Sequence, residues 1–139
     1  MATSKIVIST AAELSAALNS ATGGETLVLR PGDYGHLDID NLTPSREVTI
    51  RSADPGRPAQ FSEVDITDSA NLRFENVLVD FTPDESTTIW TRAVDIRDSR
   101  NITFDGGEID GGLALNDKDG NKEGYATAIG FVAQDSDNV

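Results

Sequence analysis

The residues most typical of a metal site lie between positions 117 and 123. Asp117, Asp119, Asn121 and Glu123 alternate with other residues around Gly120. Oxygen donors spaced in this way around a tight turn are what a hard cation such as calcium requires. The spacing is not that of an EF-hand loop, and an ordinary exposed loop has a similar composition. The sequence predicts a calcium site at these four residues, with an exposed loop as the alternative.

Two aromatic residues and an arginine have the chemistry to contact a sugar. Trp90 follows a polar stretch at residues 82–88 and precedes Arg92 by two positions, and Tyr125 follows the predicted calcium site. An aromatic ring beside an arginine at the edge of a groove suits stacking against a sugar. The alternative is that Trp90 covers the core beneath a loop. We predict Trp90, Arg92 and Tyr125 as substrate-binding residues and assign no catalytic residue.

Aspartates that recur along the chain form a third group. Asp38, Asp65 and Asp95 each lie between two aliphatic residues, and the repeat described below aligns them. On neighbouring strands, about 4.8 Å apart, their carboxylates would repel each other. Arg73 or Arg97 from an adjacent row, a bound cation or hydration would offset that repulsion. The alternatives are a solvated face with arginine partners and a face that binds a cation or a sugar.

The single histidine, His36, follows a turn early in the chain. No nucleophile or metal-ligand motif accompanies it in the sequence, so we predict a surface or turn residue. The sequence also has no cysteine, no glycine-rich phosphate loop and no Cys/His metal pattern.

A repeat runs through most of the chain. Residues 64–74 and 94–104 share seven identities in eleven positions, and residues 135–139 repeat the pattern Asp-Ser-x-Asn-apolar. A degenerate earlier copy begins at residue 37. Short strands that recur every 20–50 residues indicate a solenoid. The repeat predicts that three asparagines stack at one corner, where their left-handed backbone and amide groups are structural: Asn71, Asn101 and Asn138.

The N-terminal residues predict a different arrangement. A strand at residues 5–9 precedes a capping box in which Thr10 caps a helix and Glu13 reaches back. Apolar spacing places the helix at residues 11–21, with Gly23 and Gly24 ending it. A second strand follows at residues 26–30.

These patterns together predict the fold class. Hairpin loops of two residues between long strands are missing, which argues against a β-sandwich. We predict an all-β protein, a right-handed parallel β-helix (β-solenoid) of about three to four coils with an N-terminal capping α-helix. Residues 1–34 form the cap, and residues 35–139 form coils that are open at the C-terminal end.

The chain resembles right-handed parallel β-helix proteins that act on polysaccharides. The resemblance is carried by residues 12–18, by the segment Gly-Glu-Thr-Leu-Val-Leu-Arg-Pro-Gly-Asp-Tyr at residues 24–34, by the Asp-Ser-x-Asn corners and by residues 124–129. It is closest to the chondroitinase B and alginate lyase group and looser to mannuronan C-5 epimerases. In that fold the helix plugs the first coil. The Asp-Pro-His motif of the epimerases is absent, so no catalytic residue carries over.

Charge and composition limit the partners. The net charge of −13 repels nucleic acid and anionic membranes, and no apolar run is long enough to span a bilayer. The same charge repels acidic polysaccharides unless local arginines or calcium intervene. The absence of cysteine fits either a cytoplasmic protein or a bacterial protein exported without disulfides, and it does not choose between them. We expect a secreted bacterial protein with an extracellular location.

Two functional classes stay open at this stage. In the first, the chain is the N-terminal segment of a lyase or epimerase for a uronic-acid polysaccharide, and the segment itself is non-catalytic. In the second, it is an extracellular structural, adhesin or calcium-binding solenoid without enzymatic activity. Because the chain ends at Val139 within a predicted strand, we expect further β-helix coils or self-association there.

Overall fold

The computed structural model describes residues 4–81, 91–110 and 129–139. The described residues contain one helix, α1 (Ala11–Ser20), and are otherwise mostly β. The strands in chain order are β1 (Lys5–Ile8), β2 (Thr26–Leu29), β3 (Gly32–Asp33), β4 (His36–Asp40), β5 (Val48–Ser52), β6 (Ala59–Phe61), β7 (Glu63–Thr67), β8 (Ala70–Glu75), β9 (Leu78–Asp80), β10 (Arg92–Arg97), β11 (Arg100–Asp105), β12 (Glu108–Asp110) and β13 (Ile129–Gln134).

The strands form three sheets, and every pairing between them is parallel. The first sheet has the order β1-β2-β5-β8-β11, the second β3-β6-β9-β12 and the third β4-β7-β10-β13. From β2 onward, consecutive strands belong to the first, second and third sheets in turn, and this order then repeats. We call each set of three strands a round. This architecture is compatible with the predicted all-β parallel solenoid, and it excludes antiparallel hairpins among the described strands.

The sequence repeat is a structural repeat. Asp65 pairs with Asp95 and Phe74 with Phe104, each at an offset of 30 residues. The degenerate first copy is also in register, because Asp38 pairs with Asp65 across β4 and β7. Side chains that share a place in the repeat therefore lie beside each other on adjacent strands.

The core consists of apolar rows that run from round to round. Strand alternation points every second side chain inward. Ile39, Ile66 and Ile96 form one such row, with exposed fractions of 4%, 0% and 0%. Phe74 and Phe104 stack in another, with ring centroids 4.6 Å apart and planes 6° from parallel. Full burial of an aliphatic side chain contributes about 1.5–3 kcal/mol to the free energy of unfolding.

Helix α1 packs over one end of this core. The Thr10 hydroxyl accepts a hydrogen bond from the Glu13 N–H at 3.2 Å, and the Glu13 carboxylate accepts one from the Ser9 N–H at 2.7 Å. These contacts confirm that Thr10 caps the helix and that Glu13 reaches back, although its carboxylate bonds Ser9 and not the N–H of Thr10 as in a standard capping box. Leu14 and Leu18 are buried in the core cluster, so the apolar side of the helix faces the interior.

The helix ends earlier than predicted. Ala21 has an extended backbone (φ −68°, ψ 132°), so α1 stops at Ser20 without the glycines. Gly23 and Gly24 instead serve the following loop, where both have positive φ. A Cβ atom at Gly23 would lie 2.6 Å from the backbone nitrogen of Arg46. Close approach of the backbones, and not the end of the helix, accounts for this glycine.

The Asp-Ser-x-Asn segments form the corner between the third and first sheets. Their Asp and Asn residues all have left-handed backbones, for example Asp98 with φ 48° and Asn101 with φ 53°. The Asn101 side chain donates to Asn71 Oδ1 at 2.9 Å, and the Asn138 side chain donates to Asn101 Oδ1 at 2.8 Å. The predicted asparagine row is confirmed as a ladder of amide hydrogen bonds.

A ladder of serines lies beside it and was not predicted. The Ser99 hydroxyl donates to the Arg97 carbonyl at 2.7 Å and accepts from the Ser69 N–H at 3.1 Å. The Ser136 hydroxyl accepts from the Ser99 N–H at 3.2 Å in the same way. Each hydroxyl thus satisfies a backbone N–H of the preceding round, which explains why serine recurs in the motif.

The corner conformation gives a stability prediction for Asn101. Asn101→Ala should lower the free energy of unfolding by about 1–3 kcal/mol. The substitution removes two amide hydrogen bonds, and alanine tolerates the left-handed conformation less well than asparagine does. Asn101→Gly should cost less than Ala, since glycine adopts that conformation freely. Urea unfolding measures both values, with Arg100→Ala as the control. A glycine variant as unstable as the alanine variant would contradict the conformational part of this account.

Candidate functional site

Among the described residues, a set of ionisable side chains lies on the outer side of the third sheet. In β4 and β7 alternate residues point outward while their aliphatic neighbours are buried. In β10 the same holds from residue 94 onward, whereas Ala93 and Val94 are both buried. We call this surface the third-sheet face, and its members are His36, Asp38, Asp40, Glu63, Asp65, Thr67, Arg92, Asp95 and Arg97.

The predicted aspartate row crosses this face. Asp38, Asp65 and Asp95 occupy consecutive register positions on β4, β7 and β10, as the repeat predicts. Adjacent strands lie about 4.8 Å apart, and equal charges directly opposite each other on such strands are destabilising. Different groups accompany two of the three, an imidazole at Asp65 and two guanidinium groups at Asp95.

Asp95 is held by two arginines. Arg92 Nη1 lies 3.2 Å from Asp95 Oδ1, and Arg97 Nη2 lies 2.8 Å from Asp95 Oδ2. The hydrogen bond to Asp95 raises the pKa of Arg97, and the negative charge of Asp95 adds to the effect. Only 13% of the Asp95 side chain is exposed, so this carboxylate depends on its partners more than a surface group does.

Of the two arginines predicted to compensate the row, Arg97 does so and Arg73 does not. Arg73 belongs to β8 in the first sheet, beyond the corner. It binds Glu75 at 2.7 Å and Asp105 at 2.5 Å instead. The alternation of β8 directs Arg73 to a different outer surface, which is why proximity in sequence was misleading.

Asp65 is paired with His36. The distance from His36 Nε2 to Asp65 Oδ2 is 2.5 Å, and Glu63 Oε2 lies 4.0 Å from the same nitrogen. Burial raises the pKa of Glu63, an effect that His36 opposes and Asp65 reinforces. His36 is exposed, as predicted for a surface residue, but it lies in β4 and not in a turn, and its acidic neighbours were not predicted. The 27-residue offset that aligns Asp38 with Asp65 also places His36 opposite Glu63. Applying this offset to residue 36 would have predicted the acidic neighbours of His36.

His36, Glu63 and Asp65 are also the described residues best placed to hold a metal. One donor atom from each lies within 4.8 Å of the other two. About half of the His36 side chain and about a third of each acidic side chain are exposed, so the cluster is accessible from solvent. Imidazole and carboxylate are ligands for divalent ions.

A groove on the outer side of the first sheet brings two further cations together. Lys5, Thr26 and Thr49 are consecutive in register across β1, β2 and β5, and Arg51 lies beside them on β5. Within the described residues, neither Lys5 nor Arg51 belongs to an ion pair. Arg51 Nε is buried and has no hydrogen-bond partner among those residues. Glu75 lines the groove as well, but Arg73 holds its carboxylate.

Several predicted site residues fall outside the described ranges. They are the aromatic residues Trp90 and Tyr125 and the proposed calcium ligands Asp117, Asp119, Asn121 and Glu123. Their segments, 82–90 and 111–128, connect β9 to β10 and β12 to β13. Both connections run from the second to the third sheet. The equivalent connections of the earlier rounds are much shorter: residues 34–35 join β3 to β4, and residue 62 joins β6 to β7. In chain order, both insertions therefore fall between a strand of the second sheet and a strand of the third sheet.

Burial of Asp95 leads to a prediction about its ion pair. The coupling free energy between Asp95→Ala and Arg97→Ala should be larger than that between Asp54→Ala and Arg57→Ala. The pair Asp54 and Arg57 is the control, since 47% and 76% of these side chains are exposed and exposed pairs contribute little to stability. Double-mutant cycles in urea measure both couplings. Equal values for the two pairs would show that burial does not strengthen the contact.

Comparisons with known proteins add no relative. No protein-family model, curated protein or solved structure matches the chain. Among the described residues, no helix is long and apolar enough to cross a membrane. Function must therefore be argued from the two outer surfaces described above.

Proposed function

We propose that this chain is a segment of a carbohydrate-active protein that binds an acidic polysaccharide along a right-handed parallel β-helix. The regular order in which consecutive strands belong to the three sheets supports a β-helix. Its right-handed sense is expected because parallel crossovers are right-handed in nearly all proteins. Side chains that repeat at a constant spacing along an axis suit a polymer better than a small molecule. The parent would be a lyase or epimerase, and this segment would bind without catalysing a reaction.

The observation that carries the proposal is the pair of cations in the first-sheet groove, Lys5 and Arg51, that form no ion pair with the described residues. A uronic-acid polymer is repelled by a chain of charge −13 unless positive groups are locally available. Lys5 and Arg51 supply such groups, and the hydroxyls of Thr26 and Thr49 lie between them. Guanidinium groups bind carboxylates through two parallel hydrogen bonds. A sugar carboxylate would give the Arg51 guanidinium the ion-pair partner that it lacks among the described residues.

The third-sheet face has a separate part in this proposal. Arg92 stays a predicted sugar contact, although its guanidinium is shared with Asp95. Trp90 and Tyr125 stay predictions as well, and so does calcium at the ligands between residues 117 and 123. Calcium would help to bring an acidic polymer to an acidic protein. Such polymers occur outside cells, so extracellular location belongs to the same proposal.

A structural, calcium-binding solenoid is the second candidate. The third-sheet face carries five carboxylates against two arginines, and both arginines point at Asp95. An excess of carboxylates favours bound cations over acidic sugars. The hydrogen-bonded corners described above also suit a rigid scaffold.

Glycan binding by the chain distinguishes these candidates. Polygalacturonate and alginate should retard the chain in affinity electrophoresis, whereas neutral dextran should not. Arg51→Gln should weaken polyuronate binding about fivefold or more through loss of a charge-assisted bidentate contact. Arg57→Gln is the matched control, because it removes the same charge from an arginine already paired with Asp54. Retardation should decrease as salt increases.

The same mixtures test the lack of catalysis. No unsaturated uronate should accumulate, as followed by its ultraviolet absorbance. Accumulation of that product would overturn the non-catalytic part of the proposal. Equal behaviour of polyuronates and dextran, or equal binding by the Arg51 and Arg57 variants, would overturn the glycan-binding part and favour the scaffold.

A further inference from the structure

We propose that His36, Glu63 and Asp65 form a binding site for one divalent transition-metal ion, and that zinc suits it best. The site is separate from the calcium ligands predicted between residues 117 and 123. It also does not depend on the glycan-binding proposal, because none of its donors lines the first-sheet groove that carries that proposal.

The strands place the three donors together before any ion binds. His36 and Glu63 are direct neighbours in register on β4 and β7, and Asp65 lies two residues beyond Glu63 on the same face. The donor atoms are all within 4.8 Å of one another. Tetrahedral zinc, with bonds of about 2.0–2.2 Å, needs donors about 3.3 Å apart. Side-chain rotations that move the donor atoms by roughly 1 Å meet that requirement, and the side chains are exposed enough to make them. The contact between His36 Nε2 and Asp65 Oδ2, now 2.5 Å, would lengthen slightly.

The donor set determines which ions are suitable. Calcium and magnesium prefer oxygen ligands alone and usually more than three of them. One imidazole nitrogen with two carboxylates instead matches zinc and neighbouring first-row ions. Three protein ligands leave a fourth position open for water or for an oxygen atom of a ligand.

The charges around the cluster favour a cation. Asp38 lies next to Asp65 in the aspartate row, so three carboxylates surround one imidazole. Arg92 and Arg97, the arginines of the face, are both engaged with Asp95. A bound dication would replace the single charge that His36 can offer and would offset more of the repulsion among the carboxylates.

Metal titration of the 139-residue chain tests the site. Calorimetry with zinc chloride should give one site per chain, and cobalt(II) should give the visible absorption bands of a four-coordinate ion. His36→Gln should weaken zinc binding at least tenfold and abolish those bands. Asp40→Asn is the matched control, because it removes an outward-facing carboxylate of the same strand that is not a donor. Its affinity should stay within about twofold of the unchanged chain.

The outcomes separate a built site from general attraction of cations to an acidic protein. Absence of zinc binding, equal affinity in the His36→Gln variant, or displacement of zinc by calcium at equal concentration would each overturn the proposal. Circular dichroism checks that the variants are folded. If His36→Gln fails to fold, Glu63→Gln provides the test, with the same tenfold loss expected. Glycan binding is measured separately, so failure of either proposal leaves the other one testable.

Discussion

Register between successive rounds is the constraint on which this molecule depends. Each inner strand bonds to the preceding and the following round, and side chains alternate strictly between inside and outside. A slip of one residue would turn Asp65 into the core and Ile66 out to solvent. The corners hold that register in place. Their left-handed residues set the direction of the chain, while the asparagine and serine ladders join equivalent points of neighbouring rounds.

The same register produces the surface chemistry. Because equivalent positions stack, a charge that recurs in the repeat becomes a row of like charges. The protein compensates that row locally, with His36 at Asp65 and two arginines at Asp95. In the first sheet, Arg73 likewise lies between Glu75 and Asp105. Within the part of the chain that the structure describes, Lys5 and Arg51 have no ion-pair partner. The ionisable residues are thus positioned by the geometry of the core rather than by flexible loops.

Much of the architecture could be predicted because the repeat encodes it directly. Seven identities at an offset of 30 were enough to align Asp65 with Asp95 and to predict the asparagine ladder, and helix α1 follows from its capping box. What escaped prediction depends on three-dimensional detail. Predicting the serine ladder would require the positions of the backbone N–H groups. The partners of Arg73 depend on the corner that precedes β8. The His36 cluster could have been predicted only by extending the 27-residue offset to the residues beside Asp38 and Asp65.

The asparagine ladder also bears on the chemical ageing of the protein. Deamidation begins when the backbone nitrogen of the following residue attacks the side-chain amide carbon. At Asn101 both halves of that reaction are restrained. The side-chain amide is hydrogen-bonded to Asn71 and Asn138, and the Ile102 N–H is bonded to the Asn138 carbonyl. The contacts that join the rounds therefore also shield this residue from conversion to aspartate, a change that would introduce negative charge into the ladder.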